Sequence, residues 1–276
     1  MNEGQTQEII IEPRGKFSGF QFRELWNYRE LLRFLVVRDI KVRYKQTVLG
    51  GLWAILQPFM NMVVFTIFFG HLAGIPSDNL PYPIFVYTAL LPWQFFSGGI
   101  GSSGNSLVAN SHLISKVYFP RIIIPAASLG AGFLDFFISF ILLIVMMVYY
   151  GIYPGSGIIY FPLLMVLITV AAMGVGMILA ALNVAYRDFR YVIPFLIQFW
   201  LFATPVIYPA SIVPERWRWL INLNPMAGLI TGIRSSLLNM PLFWTDILIS
   251  GTISICLFVT GIFYFRKMER RFADII

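Results

Sequence analysis

The sequence predicts an all-α polytopic membrane protein with six transmembrane helices, an N-terminal amphipathic interfacial helix and two short re-entrant helices between spans five and six. Three observations carry that prediction. Of 276 residues, 58% are hydrophobic and only 12% charged, with a mean hydropathy of +0.75, far from the composition of soluble globular domains. Apolar windows of spanning length, roughly 20 residues per crossing, fall at 50–70, 84–106, 122–150, 158–183, 190–208 and 246–265. Lys and Arg residues gather at the ends of these windows, so the net charge of +7 reads as membrane topology and not as affinity for nucleic acid. A single domain, 1–276, then divides into a cytoplasmic tail 1–19, an amphipathic interfacial segment 20–47 and a six-span region 48–276.

Six crossings put both termini on one side, and the basic residues say which. The N-terminal segment carries nine of them; Lys116 and Arg121 follow span two, Arg187 and Arg190 follow span four, and Arg266, Lys267, Arg270 and Arg271 end the chain. Seventeen of the 20 therefore fall on one side, leaving Arg216, Arg218 and Arg234 on the other. By the positive-inside rule both termini are expected in the cytoplasm. The first twenty residues lack the apolar core and cleavage site of a signal peptide. Cys256 is the sole cysteine, so no intrachain disulfide can form.

In chain order, residues 20–37 place Phe22, Leu25, Trp26, Leu32 and Val36 at helical spacings among Arg23, Asn27, Glu30 and Arg33. Such a segment lies in the membrane interface, or serves as a plain topogenic flank. From Arg38 to Lys45, basic residues alternate with Ile40, Val42 and Tyr44, a pattern that fits one face of a strand or a helix with charge spread around it. After span one, Pro76, Pro81 and Pro83 mark a tight outer turn, as do Pro154, Gly155 and Gly157 after span three. Between spans two and three, Ser111 can cap a short helix to Phe119, stopped by Pro120, with Leu113, Ile114 and Val117 on one side. It is either a rigid knob for a soluble motor to push or an ordinary capped loop helix. The loop Tyr186 to Arg190 is a second candidate contact. The connection 209–245 is too long and apolar for a turn; Asn224 and Pro225 read as the cap and first turn of a helix to about Asn239. Helices at 212–223 and 225–239 dipping into the outer leaflet are expected, with Trp217, Trp219 and Trp244 in the interfacial belt. A fully spanning pair is the alternative, against which Arg218 and Arg234 count.

The chemistry of the chain is spare. His71 and His112 lie in loops on opposite sides of the membrane, so no zinc site can be assembled, and no catalytic residues or metal ligands are expected. Gly99 to Ser106 has the glycine spacing of a phosphate-binding loop but Asn105 where a lysine is needed, and its small residues suit close helix packing instead. Asp135 is the only acid deep in a span; an unpaired carboxylate at the bilayer centre costs about 3 kcal/mol, so it must face protein or water, as an interhelical hydrogen-bond partner or as part of a pathway. Phe65, Phe68 and Phe69 in span one and Phe195, Phe199 and Phe202 in span five, with Trp200 and Tyr208, form aromatic stripes. Sugar C–H faces stack on such rings; core packing or lipid contact is the other reading. Gln57, Asn61, Gln94 and Gln198 add polar groups inside spans. Arg216, Arg218 and Arg234 could meet an anionic headgroup or simply be surface residues.

Arg38 to Tyr44, Leu49 to Ala54 with Gln57-Pro58, Leu91-Pro92-Trp93, Asn110-Ser111 with Leu113-Ile114 and Lys116 to Pro120, Tyr186-Arg187-Asp188 and Asn224-Pro225 together resemble the ABC-2 type permeases of polysaccharide exporters, a family that includes O-antigen, capsule and teichoic acid exporters. The resemblance implies six spans, an N-terminal amphipathic helix, a coupling helix between spans two and three, and two re-entrant helices before span six. It further implies a homodimer in the bacterial inner (plasma) membrane, enclosing a channel largely from spans one and five, with two copies of a separate ATPase docked on the cytoplasmic side. ATP and Mg would belong to that partner, leaving no cofactor in this chain and no enzymatic activity of its own. Carried over by position, Ser111, Leu113, Ile114, Lys116, Val117 and Tyr118 fall in the coupling helix, and Phe65, Phe69, Phe199 and Tyr208 on the channel wall. ATP binding would close the ATPase dimer, move the coupling and N-terminal helices and widen the channel for a sugar chain on a polyprenyl pyrophosphate. Export of a lipid or drug, a proton-coupled transporter and a membrane-embedded glycan enzyme are the alternatives; only the ABC readings require an ATPase partner.

Overall fold

The computed structural model describes residues 26–45, 47 and 50–275, and every regular element among them is helical. The expected tail 1–19 and the first part of the interfacial segment, 20–25, lie outside the described residues. Helix α1, Arg29–Tyr44, resolves the ambiguous stretch 38–45 as helix up to Tyr44, with Lys45 extended (φ −68°, ψ 132°). Leu31, Leu32, Leu35 and Val36 turn to one side and pack inward, the spacing of a helix that buries one stripe, while Arg29, Arg33, Lys41 and Arg43 stay exposed.

Helix α2, Leu52–Phe65, continues through a π-helical stretch, Thr66–Leu72, as one 21-residue apolar rod. Pro58 lies inside it and has no N–H to bond the Ala54 carbonyl; the Ser139 hydroxyl of the third long helix donates to that carbonyl instead. Helix α3, Tyr82–Ala109, is the axis of the molecule: from Ile84 to Trp93 every residue is buried, on all sides of the helix. Its Gly and Ser residues let neighbours close in. A Cβ on Gly104 would stand 2.8 Å from Ile193, and the Ser103 hydroxyl donates to the Pro125 carbonyl at 2.9 Å. The expectation of close packing at Gly99 to Ser106 is thus met.

After the short α4, Ser111–Lys116, come α5, Ile123–Tyr150, closed by Gly151 at φ +66°, and α6, Phe161–Ala185, entered through a 3-10 turn, Ser156–Tyr160. Then follow α7, Phe189–Ala203; α8, Glu215–Asn222; α9, Pro225–Leu237; and α10, Trp244–Ile275. Helices α6 and α10 meet backbone to backbone, since a Cβ on Gly261 would lie 2.5 Å from the Gly174 carbonyl oxygen. Among the described residues, four stretches are long and apolar enough to cross a membrane: Leu52–Leu72, Ile123–Tyr150, Ser156–Ala185 and Trp244–Glu269. Helix α3 has the length, but its second half is rich in Gly and Ser; α7 is apolar but only 15 residues long.

A large apolar cluster joins α3, α5, α6 and α9, and a second one gathers residues from six elements: Leu35 of α1, Leu107 of α3, Ile114 of α4, Ile123 of α5, Val184 of α6 and Phe265 of α10. Helix α2 is peripheral, touching α3 and α5, and most of its surface faces outward.

Several boundaries differ from expectation, among them the two short helices expected at 212–223 and 225–239, which run Glu215–Asn222 and Pro225–Leu237. The loop helix begins after Asn110, which caps it without a side-chain bond, so Ser111 is not the cap. It ends at Lys116 and not at Phe119: Val117 is extended (φ −129°, ψ 136°), and a residue preceding proline, as Phe119 does, disfavours the helical region. Span five ends at Ala203 and not at 208, because Thr204 is extended ahead of Pro205. Span six runs on past 265 to Ile275, its Arg, Lys and Glu residues being good helix formers. By contrast, the Asn224 side chain does accept from Met226 N at 3.0 Å and opens α9 as its sequence predicts.

Candidate functional site

A cavity of about 490 Å³ opens where the end of α1 meets α2, α3 and α5. Its floor is an ion pair. Asp135, midway along α5, accepts from the Arg43 guanidinium and the Tyr44 hydroxyl at the last turn of α1. The carboxylate that hydropathy left without a partner therefore makes interhelical bonds and also lines a cavity. Burial and the adjacent Asp135 carboxylate push the Tyr44 phenol well above its ordinary range, so it remains a donor at neutral pH. The walls carry Trp53 and Gln57 from α2, Gln94, Phe95, Ser97 and Gly98 from α3, and Phe136 from α5. The Gln94 Nε2 is buried and has no hydrogen-bond partner among the described residues.

The aromatic candidates separate into two groups. Phe65 and Phe69 stack edge to face on each other, centroids 5.7 Å apart, and lean half-buried on the large cluster. On α7, Phe195, Phe199 and Phe202 form an exposed stripe, Phe199 at 65%. Tyr208 lies half-buried beyond the end of α7, its hydroxyl donating to the Phe202 carbonyl at 3.2 Å. Among the described residues, no ring contact joins Phe65 or Phe69 to Phe199 or Tyr208 within one chain.

At the opposite end of α3, Ile114 and Phe119 insert into the second cluster, with Leu113 packed against it. Ser111 is half-buried at the start of α4; Lys116, Val117 and Tyr118 face outward, Tyr118 at 65% exposure. In the loop after α6, Tyr186 is exposed, and Arg190 stacks on the exposed Tyr191 at 5.1 Å. The element is thus a short anchored helix followed by an extended, exposed segment, and Val117 does not share the inward side of Ile114.

Arg216, Arg218 and Arg234, expected on the outer side, part company. Arg216 lies over the Trp217 ring at 5.8 Å, and Arg218 sits 4.0 Å from Glu215, exposed on α8. Arg234, expected at the surface, is 2% exposed. Its guanidinium donates to the carbonyls of Phe85 at 3.3 Å, Pro205 at 3.1 Å and Val206 at 3.0 Å, and covers the Phe85 ring at 3.7 Å. It is a clasp between α9, α3 and the chain beyond α7: the Pro205 and Val206 carbonyls belong to irregular backbone, the Phe85 carbonyl to the first turns of α3, and an arginine is the side chain whose fork reaches several at once. Beside it, Asn224 accepts from Trp200 Nε1 at 2.9 Å and donates to Thr204 Oγ1 at 2.8 Å. Among the described residues, no group of three or more His, Cys, Asp or Glu is placed to hold a metal ion.

The sequence of the chain matches the ABC-2 type transporter family over residues 30–238. It is 33% identical over 216 residues to the O-antigen export system permease protein RfbA of Myxococcus xanthus, covering 77% of this chain and 82% of that one. To the O-antigen export system permease protein RfbA of Klebsiella pneumoniae it is 31% identical over 248 residues, 90% and 95% of the two chains. To the polysialic acid transport protein KpsM of Escherichia coli it is 22% identical over 214 residues, 77% and 81% of the two.

Proposed function

The chain belongs to the ABC-2 type transporter family, and from that premise we propose that it is the channel-forming membrane subunit of an ATP-driven exporter moving a lipid-linked, O-antigen-like polysaccharide across the bacterial inner membrane. The observation that carries this reading is the similarity to O-antigen export permeases along 90% of the chain and 95% of the relative. ATP and Mg belong to two copies of a separate ATPase; this chain supplies the path.

The chain crosses the membrane six times, with α3 and α7 added to the four long apolar stretches and both termini in the cytoplasm. At 1.5 Å per residue α3 spans about 42 Å, more than the hydrocarbon core requires. Helices α8 and α9 are the re-entrant pair, supported by the burial of nearly all of α9. Two copies of the chain enclose the channel, with Phe65, Phe69, Phe199 and Tyr208 on its wall; the exposed α7 stripe supports this face. The segment Ser111 to Tyr118 receives the ATPase. Ser111, Leu113 and Ile114 root it in the second cluster, and Lys116, Val117 and Tyr118 meet the partner. Because α1 is rooted in the same cluster, a push on α4 is felt by α1. Arg216 and Arg218 meet the pyrophosphate or the outer headgroups.

Gentle affinity purification from the native cell tests the assignment. A stoichiometric ATPase subunit with an intact phosphate-binding loop, and ATP-dependent glycan export by the reconstituted pair, are expected. Failure to recover an ATPase even after crosslinking would remove the motor and overturn the reading.

A further inference from the structure

We propose that the cavity between α1, α2, α3 and α5 is a binding site for a neutral sugar unit of the exported chain, formed within one protomer and separate from the aromatic face of α7. The proposal rests on the polysaccharide reading above and adds a place where the glycan is held. Its volume of about 490 Å³ lies within the range of small-ligand pockets, roughly 300–1,000 Å³. Its lining combines rings with amides and hydroxyls: Trp53 and Phe95 offer faces for sugar C–H groups, and Gln57, Gln94 and Ser97 offer hydrogen-bonding groups for hydroxyls. Gln94 also lines the cavity, and its buried Nε2 lacks a partner among the described residues; such a group is costly left unpaired, and a turn of the side chain toward the cavity gives it an acceptor when a sugar hydroxyl is bound.

Charge selects the ligand class. Arg43 and Asp135 are paired with each other, so among the described residues that line it the cavity has no unpaired cation for a phosphate, and the carboxylate would repel one. An acyl chain fits no better, because it would leave the Gln94 amide and the Ser97 hydroxyl facing hydrocarbon. A polyol with apolar ring faces satisfies both halves of the lining.

Gly98 gives the test. It lines the cavity, and a Cβ there meets nothing within 4 Å, so a side chain at this position starts in open space and Gly98→Leu is the occluding variant. The full chain, purified with its copurifying ATPase in nanodiscs, is titrated with lipid-free oligosaccharides released from the native glycan by mild acid, followed by calorimetry and tryptophan fluorescence. Wild type should bind saturably; Gly98→Leu and Gln94→Leu should weaken binding by about tenfold or more, while Gly98→Ala stays near wild type and all variants keep the wild-type melting temperature. Undiminished binding by Gly98→Leu overturns the proposal. So does a wild-type complex that exports glycan yet shows no saturable binding, and so does a copurifying phospholipid that is lost in Gly98→Leu and not displaced by the oligosaccharides. A wild-type complex that exports no glycan at all overturns the function itself, and this site with it.

Discussion

Replacing Arg234 by alanine should cost the folded chain about 3 kcal/mol, and each contribution can be worked from the contacts. Three carbonyls, of Phe85, Pro205 and Val206, lose their guanidinium donor at a site where Arg234 is 2% exposed. An unsatisfied buried acceptor costs about 1–3 kcal/mol; the Phe85 carbonyl keeps its place in the α3 ladder, so Pro205 and Val206 together cost about 2–6 kcal/mol. The lost cation–π contact with Phe85 adds about 1–2 kcal/mol. Against these, relieving a buried charge returns several kcal/mol, which brings the balance to about 2–4 kcal/mol. For a chain of this size, 1 kcal/mol moves the midpoint by about 2–4 °C, so thermal unfolding in detergent should fall by about 5–15 °C. Arg234→Lys should recover less than half, because one ammonium cannot span carbonyls on two separate elements. Arg218→Ala is the control: its pair with Glu215 is exposed and 4.0 Å long, and its loss should leave the midpoint within about 2 °C. If Arg234→Ala unfolds at the wild-type temperature, or Lys restores it fully, the clasp is not what holds α9 to α3.

Gly261→Leu should destabilise by about 3 kcal/mol or more, since even its Cβ would collide with the Gly174 carbonyl; a folded variant with wild-type thermal unfolding would contradict the backbone contact between α6 and α10. Asn224→Ala removes the α9 cap and the acceptor of Trp200, predicting a loss of about 1–2 kcal/mol together with a shift of the Trp200 emission, which a Trp200→Phe background should abolish. Val117→Asp combined with Tyr118→Ala alters only exposed side chains, so the melting temperature should hold while ATPase copurification falls; an unchanged yield of ATPase would move the docking surface elsewhere.

Most of the helices were legible because membrane spans announce themselves by length and hydropathy, and Asn224-Pro225 announced α9 by cap chemistry alone. What stayed illegible has a common cause: the partner lies far along the chain. Asp135 needed a donor, and Arg43 and Tyr44 supply one from 92 and 91 residues away; no spacing rule connects them. The alternating charges of 38–45 favoured neither helix nor strand, and it is burial of Leu35 and Val36 against α5 and its neighbours that selects helix. Val117 was grouped with Ile114 on a helical face, but the approach of Pro120 ends the helix one residue earlier and turns it outward. Gln57 and Gln94 were visible as polar residues in spans, yet only the meeting of α2, α3 and α5 gives them a shared cavity.

The break after α7 explains why two residues that look functional in the sequence are occupied structurally. From Leu201 to Ile207 the carbonyls lie beyond the last i+4 N–H of α7, and a buried carbonyl must find a donor in the protein. Each one does. Leu201 O receives Thr204 N, Phe202 O the Tyr208 hydroxyl, Ala203 O the Asn224 amide, and Thr204 O the Val206 N–H. Pro205 O and Val206 O share Arg234, and Ile207 O takes the Tyr82 hydroxyl at 2.7 Å. Tyr82, Tyr208, Asn224 and Arg234 thus act as side-chain substitutes for a helix ladder, recruited from α3, the segment itself and the start and end of α9. Tyr208 can still present its ring to a channel while its hydroxyl is engaged. Arg234 is 2% exposed, and its Nε and Nη2 donate to backbone carbonyls, which withdraws its charge from the surface and leaves Arg216 and Arg218 exposed on α8.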